Sequence, residues 1–201
     1  PINYDGIIEV ENIVDGSVIN FADAPRFKVK HTYLVANERL TENGVYIECA
    51  TRDNHLHVGT GAFLDAERNG KSVIKTRQFY AFGEQTIEFQ DFDAEQGVTT
   101  EYASIYTERD LPKYELHSAV KNEIDAFVER GFEQELAEHF KVYEEMWKEA
   151  DIQIQGDFDL DRAVRFNIFH LMSTGNEHDD RVNVGAKLLH GEEYGGHAFW
   201  D

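Results

Sequence analysis

The sequence is poor in cysteine, proline and basic residues. It contains one cysteine, Cys49, and three prolines among 201 residues. A single cysteine excludes an internal disulfide framework and fits a reducing cytoplasm, where we expect the protein. The 39 acidic residues outnumber 19 lysines and arginines, for a formal net charge of −20. Because a nucleic-acid interface needs a basic stripe, we expect no nucleic acid among the partners.

Long apolar runs and several common motifs are also missing. No run approaches the roughly 20 apolar residues that span a bilayer, so we expect no membrane partner. The sequence has no G-x-S-x-G, no P-loop and no G-x-G-x-x-G, which leaves acyl transfer, NTP chemistry and dinucleotide chemistry without support. The chain starts at Pro1, with no initiator Met or signal peptide, and ends on Trp-Asp. We therefore expect a fragment of a larger protein.

Residues 1–110 contain about eight short apolar runs, separated by turn signals at a spacing of roughly 10–13 residues. This pattern predicts an antiparallel β-sandwich, with an up-and-down barrel as the alternative. The dipeptide Asp15-Gly16 predicts a hairpin between runs 7–10 and 17–21. We do not expect this domain to supply catalytic groups.

The pattern becomes helical after Leu111-Pro112, which predicts a helical linker over residues 111–152. Apolar residues recur every three or four positions, with Gly131 as the expected joint between two helices or within one bent helix. A third helix is expected after Gly156, capped by Asp157 or Asp159. Its apolar residues cover more than half of its circumference, which predicts burial on two sides and the start of a second domain, residues 153–201.

The last residues, Gly195-Gly196-His197-Ala198-Phe199-Trp200-Asp201, form the most informative stretch of the chain. The indole of Trp200 offers a flat apolar face for the C–H side of a sugar ring. The Asp201 carboxylate can accept hydrogen bonds from two ring hydroxyls at once. A loop of about 25 residues leads to this stretch, and loops of that length are usually functional or disordered.

Other polar groups allow competing interpretations. His55 and His57 could hold a metal from one strand face, but a solvent-facing strand is the favoured interpretation. The cluster at residues 178–181 could contact a ligand or fix the loop, and both alternatives stay open. A further set resembles metal ligands in residue type, but its spacing matches no standard zinc site, and we expect no metal. Its members are His190, Glu192, His197 and Asp201.

Three segments together resemble glycoside hydrolase family 65, the inverting phosphorylases of maltose, kojibiose, nigerose and trehalose. They are residues 165–171 (RFNIFHL), 180–187 (DRVNVGAK) and 191–201 (GEEYGGHAFWD). Leu188 and Glu193 stand where the family pattern has glycine, which leaves the sub-specificity open. The His-Ala-Phe-Trp-Asp ending resembles the kojibiose, nigerose and trehalose groups more than the maltose group.

The resemblance implies an α+β multidomain protein: an antiparallel β-sandwich, linker helices and the beginning of an (α/α)6 barrel. It implies that Trp200 and Asp201 hold the glucosyl unit, that Phe199 lines the same wall, and that His197 belongs to the same substrate-binding segment. The family's general-acid Glu and phosphate-binding residues come later in the barrel. We therefore expect no catalytic residue in this chain and no activity from the chain alone.

The implied reaction is phosphorolysis of an α-linked glucose disaccharide with inversion, giving β-glucose 1-phosphate and a free sugar. The resemblance implies no cofactor, inorganic phosphate as co-substrate, and a homodimer. Two alternatives remain: a trehalose-type hydrolase of the same family, and a non-catalytic carbohydrate-binding β-sandwich with a helical tail.

Overall fold

In the computed structural model of the chain, the described elements are eight strands followed by helices. The described residues are 7–16, 32–41, 44–68, 71–72, 76–82, 85–93 and 97–174. The strands are β1 (Ile7–Asp15), β2 (Thr32–Thr41), β3 (Gly44–Thr51), β4 (His57–Arg68), β5 (Lys71–Ser72), β6 (Thr76–Phe82), β7 (Gln85–Asp93) and β8 (Gly97–Thr107). A 3-10 turn (Lys113–Glu115) precedes α1 (Leu116–Arg130), α2 (Phe132–Ala150) and α3 (Phe158–Thr174).

The described strands form two antiparallel sheets. The first sheet has the order β1-β7-β6, and the second has the order β2-β3-β4-β5, with β8 also paired to β4. Two separate sheets match the predicted sandwich and not the up-and-down barrel. The sandwich-then-helices organisation predicted from the sequence is therefore confirmed.

The hairpin predicted at Asp15-Gly16 would start at the end of strand β1. Strand β1 pairs with β7 over its whole length, and Asp15 lies opposite Gln85 in this ladder. Asp15 is thus the last residue of a strand and Gly16 lies in a turn, so the hairpin stays a prediction. The run at 17–21, which the pattern predicts as the second strand of the hairpin, lies outside the described residues.

A core between the two sheets comes from the alternation of apolar side chains along β3. Val45, Ile47 and Cys49 form one buried cluster with Val14 of β1 and Ala62 of β4. Alternate side chains of a strand point to opposite faces of its sheet, so these three residues share one face. This face of the second sheet is covered by the first sheet.

The opposite face of the second sheet is covered by α1. Tyr46 of β3 and Leu40 of β2 form a second buried cluster with Val120 and Ile124 of the helix. Leu116, one turn before Val120, is also fully buried. Burial at positions 116, 120 and 124 follows the helical period, so one stripe of α1 packs on the sheet.

Two glycines of β4 let α1 approach the sheet closely. A Cβ on Gly61 would lie 2.4 Å from Cγ1 of Val120, and a Cβ on Gly59 would lie 2.7 Å from the Tyr46 hydroxyl. Both distances are far below a normal van der Waals contact of roughly 3.5–4.0 Å. Strand β4 begins at His57 and continues through both glycines to Arg68.

The linker contains two helices joined at Gly131, as expected. Gly131 has φ 74°, and its N–H donates to the Phe127 carbonyl at the end of α1. Helix α2 begins at the next residue. With ψ at 164°, this backbone conformation is in practice accessible only to glycine, which explains why α1 ends at this position.

The chain divides into two compact units. The first includes the sheets and α1 and extends to Glu133; the second includes α3 and most of α2, from Gln134 onward. The domain limits expected from the sequence, 1–110, 111–152 and 153–201, remain predictions.

Helix α3 is less buried than its composition predicted. None of its residues is fully buried, and Phe158, Phe166 and Leu171 are 74%, 61% and 67% exposed. Aromatic residues of α2 are also accessible, with Phe132 and Phe140 more than half exposed. The expectation of burial on two sides is wrong for this 201-residue chain, because the described contacts to α3 come from α2 and the connection between the two helices.

Candidate functional site

The predicted sugar-binding segment lies outside the described residues. This applies to His197, Phe199, Trp200 and Asp201, to the polar cluster at 178–181, and to His190 and Glu192. The described element that leads to this segment is α3, which ends at Thr174. The described residues nearest to this segment in the sequence are therefore those of α3, together with the groups that hold α3 in place.

Two carboxylates fix the start of α3. Oδ1 of Asp157 accepts the N–H of Leu160 at 3.0 Å, which caps the helix and selects Asp157 over Asp159 as the capping residue. Oδ1 of Asp161, one turn into the helix, accepts the N–H of Ile154 at 2.7 Å. Side-chain caps satisfy N–H groups that a helix start leaves unpaired. The connection from α2 to α3 is therefore tied to the helix that follows it.

Arg165 joins α3 to the end of α2. Its Nε lies 2.8 Å from Oδ1 of Asp151, an ion pair that lacks the alignment of a hydrogen bond. Its guanidinium carbon lies 5.4 Å from the ring centroid of Trp147 on α2. A guanidinium within about 6 Å of an aromatic centroid is attracted by the ring face. One side chain thus contacts both the last turn of α2 and the residue that follows it.

A cleft of about 480 Å³ lies between α2 and α3. Its lining residues are Trp147, Phe158, Asp161, Arg162, Arg165 and Phe166. Further along the helices, the ring centroids of Tyr143 and Phe169 are 5.7 Å apart, and the hydroxyls of Tyr143 and Ser173 lie at 3.4 Å. Aromatic and arginine side chains therefore contact each other across the two helices at both places.

The paired arrangement of His55 and His57 is wrong. His55 precedes β4 with φ 55° and contacts Tyr33, whereas His57 is the first residue of the strand. Nδ1 of His57 lies 2.5 Å from Oε1 of Glu48, and the His57 side chain is 12% exposed. The two rings share no strand face, and His57 is not solvent-facing.

Glu48 is the centre of a half-buried polar cluster beside α1. Its second oxygen accepts the Tyr46 hydroxyl at 3.2 Å. Burial, followed by the nearby negative charge of Glu48, raises the pKa of Tyr46 above its ordinary value. The phenol therefore stays protonated at neutral pH and remains a hydrogen-bond donor. The backbone N–H of His57 donates to Oε2 of Glu108 at 2.8 Å, which ties β4 to the corner that precedes α1.

A second carboxylate, that of Glu123 on α1, faces the sheet. It accepts the hydroxyl of Ser104 on β8. Burial, then the charge of Glu123, raises the pKa of Tyr106 on the same strand. Both clusters place polar hydroxyls against carboxylates at the helix–sheet contact, where unpaired polar groups would be costly.

Replacing His57 by Ala should lower the free energy of unfolding of the 201-residue chain by about 1–3 kcal/mol, because the half-buried Glu48 carboxylate loses a partner. His55→Asn serves as the matched control, since Asn tolerates positive φ and His55 is exposed. We expect the control to shift stability by about 0.5 kcal/mol or less. Urea unfolding followed by circular dichroism measures both, and equal effects would contradict the role given to His57.

The described residues contain no metal cluster and no membrane-spanning helix. Among them, no three His, Cys, Asp or Glu side chains are grouped so that they could hold a metal ion. None of the helices within the described ranges is long and apolar enough to cross a bilayer. The possible metal ligands suggested by residue type include His190 and His197, which lie outside these ranges, so the expectation of no metal at that set stays a prediction.

Sequence reasoning missed the contacts of Arg165 and Glu48. The sequence marks Arg165 only as the first residue of a motif, and the i, i+3 and i+4 spacing of α3 gives no sign of a partner on α2. Glu48 carries a weak signal, because a charged residue between Ile47 and Cys49 in a buried strand requires a partner. The identity of that partner depends on strand pairing, which places Ala50 opposite His57.

The described fold defines the class of the protein: an antiparallel two-sheet domain followed by the linker helices α1 and α2 and by a third helix, α3. Comparison with known proteins gives the family. The model for the glycosyl hydrolase family 65 N-terminal domain matches residues 1–146, and the model for the family 65 central catalytic domain matches residues 165–201. The chain belongs to glycoside hydrolase family 65.

Several curated proteins that the chain resembles are disaccharide phosphorylases. The chain is 44% identical to kojibiose phosphorylase of Thermoanaerobacter brockii over the whole chain and 27% of the relative. It is 41% identical to maltose phosphorylase of Bacillus subtilis over 50% of the chain and 13% of the relative. The chain thus spans about a quarter of the length of the relatives that it matches throughout.

A solved structure shares the fold. It is that of a protein assigned as a kojibiose phosphorylase, from the human microbiome, and it superimposes with a TM-score of 0.75. The match covers 97% of this chain and 25% of that chain, at 16% sequence identity. At this identity the match supports the fold of the two sheets and the helices, and it carries no conclusion about substrate.

Proposed function

We propose that the chain is part of an inverting α-glucoside phosphorylase. The complete enzyme cleaves an α-linked glucose disaccharide with inorganic phosphate and releases β-glucose 1-phosphate and a free sugar. The observation that supports this most is the 44% identity to a kojibiose phosphorylase across the whole chain. Kojibiose is accordingly the first disaccharide to test, ahead of nigerose, trehalose and maltose.

In this proposal the chain contributes sugar-binding groups and no acid or nucleophile. Trp200 supports the apolar face of the glucosyl ring, and Asp201 accepts hydrogen bonds from its hydroxyls. Phe199 lines the same wall, and His197 belongs to the same segment. Residues 165–201, which include all four, match the catalytic-domain model of the family. The general-acid Glu and the phosphate-binding residues are supplied by the catalytic domain outside these 201 residues.

The chemistry needs a single carboxylic acid. Phosphate attacks the anomeric carbon while the acid protonates the departing oxygen, so no base is required to activate the nucleophile. Attack and departure occur on opposite faces of the ring, which converts the α-glucoside into a β-phosphate. Water at the same position would lack a base, which explains why phosphate is preferred.

We expect the complete enzyme to release sugar from an α-linked glucose disaccharide only when inorganic phosphate is present. The assay compares kojibiose, nigerose, trehalose and maltose with and without phosphate, and NMR of the anomeric proton gives the configuration of the product. Equal rates without phosphate would favour a trehalose-type hydrolase. An α-configured phosphate ester would exclude single displacement, and no cleavage at all would favour a carbohydrate-binding module.

We further propose the organisation of the complete enzyme. The sandwich occupies residues 1–110, the helical linker 111–152, and an (α/α)6 barrel begins within 153–201. The enzyme is a cytoplasmic homodimer that uses no cofactor. The single cysteine supports a reducing compartment. Light scattering of the complete enzyme measures its oligomeric state, and phosphorolysis measured after exhaustive chelation tests the absence of a metal cofactor.

A further inference from the structure

Residues 147–164 lie between the two segments that match the family models. They comprise the end of α2, the connection at 151–157 and the start of α3. The N-terminal match ends at residue 146 and the catalytic match begins at residue 165. The structure places both ends of this segment in contact, because the guanidinium carbon of Arg165 lies 5.4 Å from the ring centroid of Trp147. Trp147 before the connection and Arg165 after it therefore contact each other.

Arg165 also contacts Asp151, the first residue of the connection. Its ion pair with Asp151 is 2.8 Å long, with the Asp151 side chain 20% exposed and the Arg165 side chain 46% exposed. The other oxygen of Asp151 accepts Nε2 of Gln153 at 3.0 Å. The Asp151 carboxylate is thus held by Gln153 on one side and by Arg165 of α3 on the other, and its own burial leaves it less screened by water than an exposed carboxylate.

From these contacts we infer that Arg165 is a positioning residue of the proposed phosphorylase. It acts through Trp147 and Asp151 to fix the direction in which α3, and the catalytic part that it begins, leaves the linker helix α2. The inference rests on the proposed function for its kinetic consequence. It goes beyond sugar binding, because Arg165 contacts protein groups and is assigned no contact with substrate.

Arginine suits this role because its planar cation can stack on an indole and pair with a carboxylate at the same time. Arg162, one turn earlier on α3, makes the same two kinds of contact within its own helix. It lies 5.6 Å from the Phe158 ring and pairs with Asp159, at side-chain exposures of 70% and 84%. Arg162 is therefore a matched control that has the same chemistry without an ion pair or ring contact to α2.

The test uses the complete enzyme with Arg165→Gln, Asp151→Asn, the double variant and Arg162→Gln. We expect Arg165→Gln to lower kcat of phosphorolysis about tenfold, with KM for phosphate and disaccharide within about twofold, because misplacement of reacting groups acts mainly on turnover. The kcat of the double variant should fall no further than the kcat of Arg165→Gln, since the two side chains act as one unit. Arg162→Gln should keep kcat within about twofold.

Hydrogen exchange of the connection gives a second readout that does not depend on activity. Amides of residues 151–157 should exchange about tenfold faster in Arg165→Gln than in Arg162→Gln, because local opening becomes easier. Equal exchange and equal kcat in these two variants, per folded enzyme, would overturn the inference. A wild-type enzyme without phosphate-dependent cleavage would instead overturn the proposed function, and the exchange comparison would still decide the role of Arg165.

Discussion

Replacing Asp201 by Asn in the complete enzyme should lower kcat/KM for phosphorolysis by at least about tenfold to a hundredfold. The substitution keeps the shape of the side chain and removes its charge. A carboxylate accepts hydrogen bonds from two sugar hydroxyls, and each charge-assisted bond is worth roughly 1.5–3 kcal/mol. An amide nitrogen in place of one oxygen turns an acceptor into a donor and leaves one hydroxyl without its partner.

The measurement is steady-state kinetics of phosphorolysis with the preferred disaccharide. Asp125→Asn is a suitable control, because Asp125 is an exposed carboxylate of α1 that pairs with Lys121 at 2.5 Å. We expect this control to keep wild-type kinetics, since surface pairs contribute little. Wild-type kinetics in the Asp201→Asn enzyme would remove Asp201 from the sugar site and leave Trp200 as the remaining candidate in the Trp-Asp pair.

Local periodicity predicted much of the fold because burial follows it. The alternation of Val45, Ile47 and Cys49 marks one face of β3, and that face packs against Val14 of the first sheet. The helical linker and its joint at Gly131 were also predictable, because glycine accepts the positive φ found there at little cost. These features depend on a few neighbouring residues.

Strand β4 was harder to predict because its form depends on a distant helix. The sequence from His57 to Ala62 carries two glycines, which usually indicate a turn or a bulge. In the structure the strand continues to Arg68, since the glycines are needed for close packing of α1. Contact with a helix about 60 residues later leaves no trace in the local pattern.

The candidate site also has features that local residue chemistry predicts and features that depend on distant contacts. Trp200 and Asp201 could be proposed as sugar-binding residues from residue chemistry and from the resemblance to the family motif, and this role stays a prediction. The contacts of Arg165 with Trp147 and Asp151 could not be predicted, because they depend on how α2 and α3 pack. His57 shows the reverse error: the pattern suggested an exposed pair of histidines, but the His57 ring lies half-buried against the Glu48 carboxylate.

Replacing Gly61 by Ala should lower the free energy of unfolding of the 201-residue chain by about 1–3 kcal/mol, because the new methyl group overpacks the contact with α1. The added Cβ would meet Cγ1 of Val120 at 2.4 Å, Cδ2 of Leu40 at 3.2 Å and Cδ1 of Ile124 at 3.3 Å. Val120 is fully buried and β-branched, so its side chain has few other rotamers to adopt. The helix must shift away from the sheet or the sheet must bend.

The double variant Gly61→Ala with Val120→Ala gives the sharpest test of this explanation. Val120→Ala alone should cost roughly 2 kcal/mol, because it leaves a cavity in the buried cluster. The methyl group introduced by Gly61→Ala would fill part of that space, so the double variant should be more stable than the sum of the single effects by about 1 kcal/mol. Urea unfolding of the four proteins measures the coupling. Strictly additive effects would show that Gly61 is required for another reason, and that Val120 does not limit how closely α1 approaches the sheet.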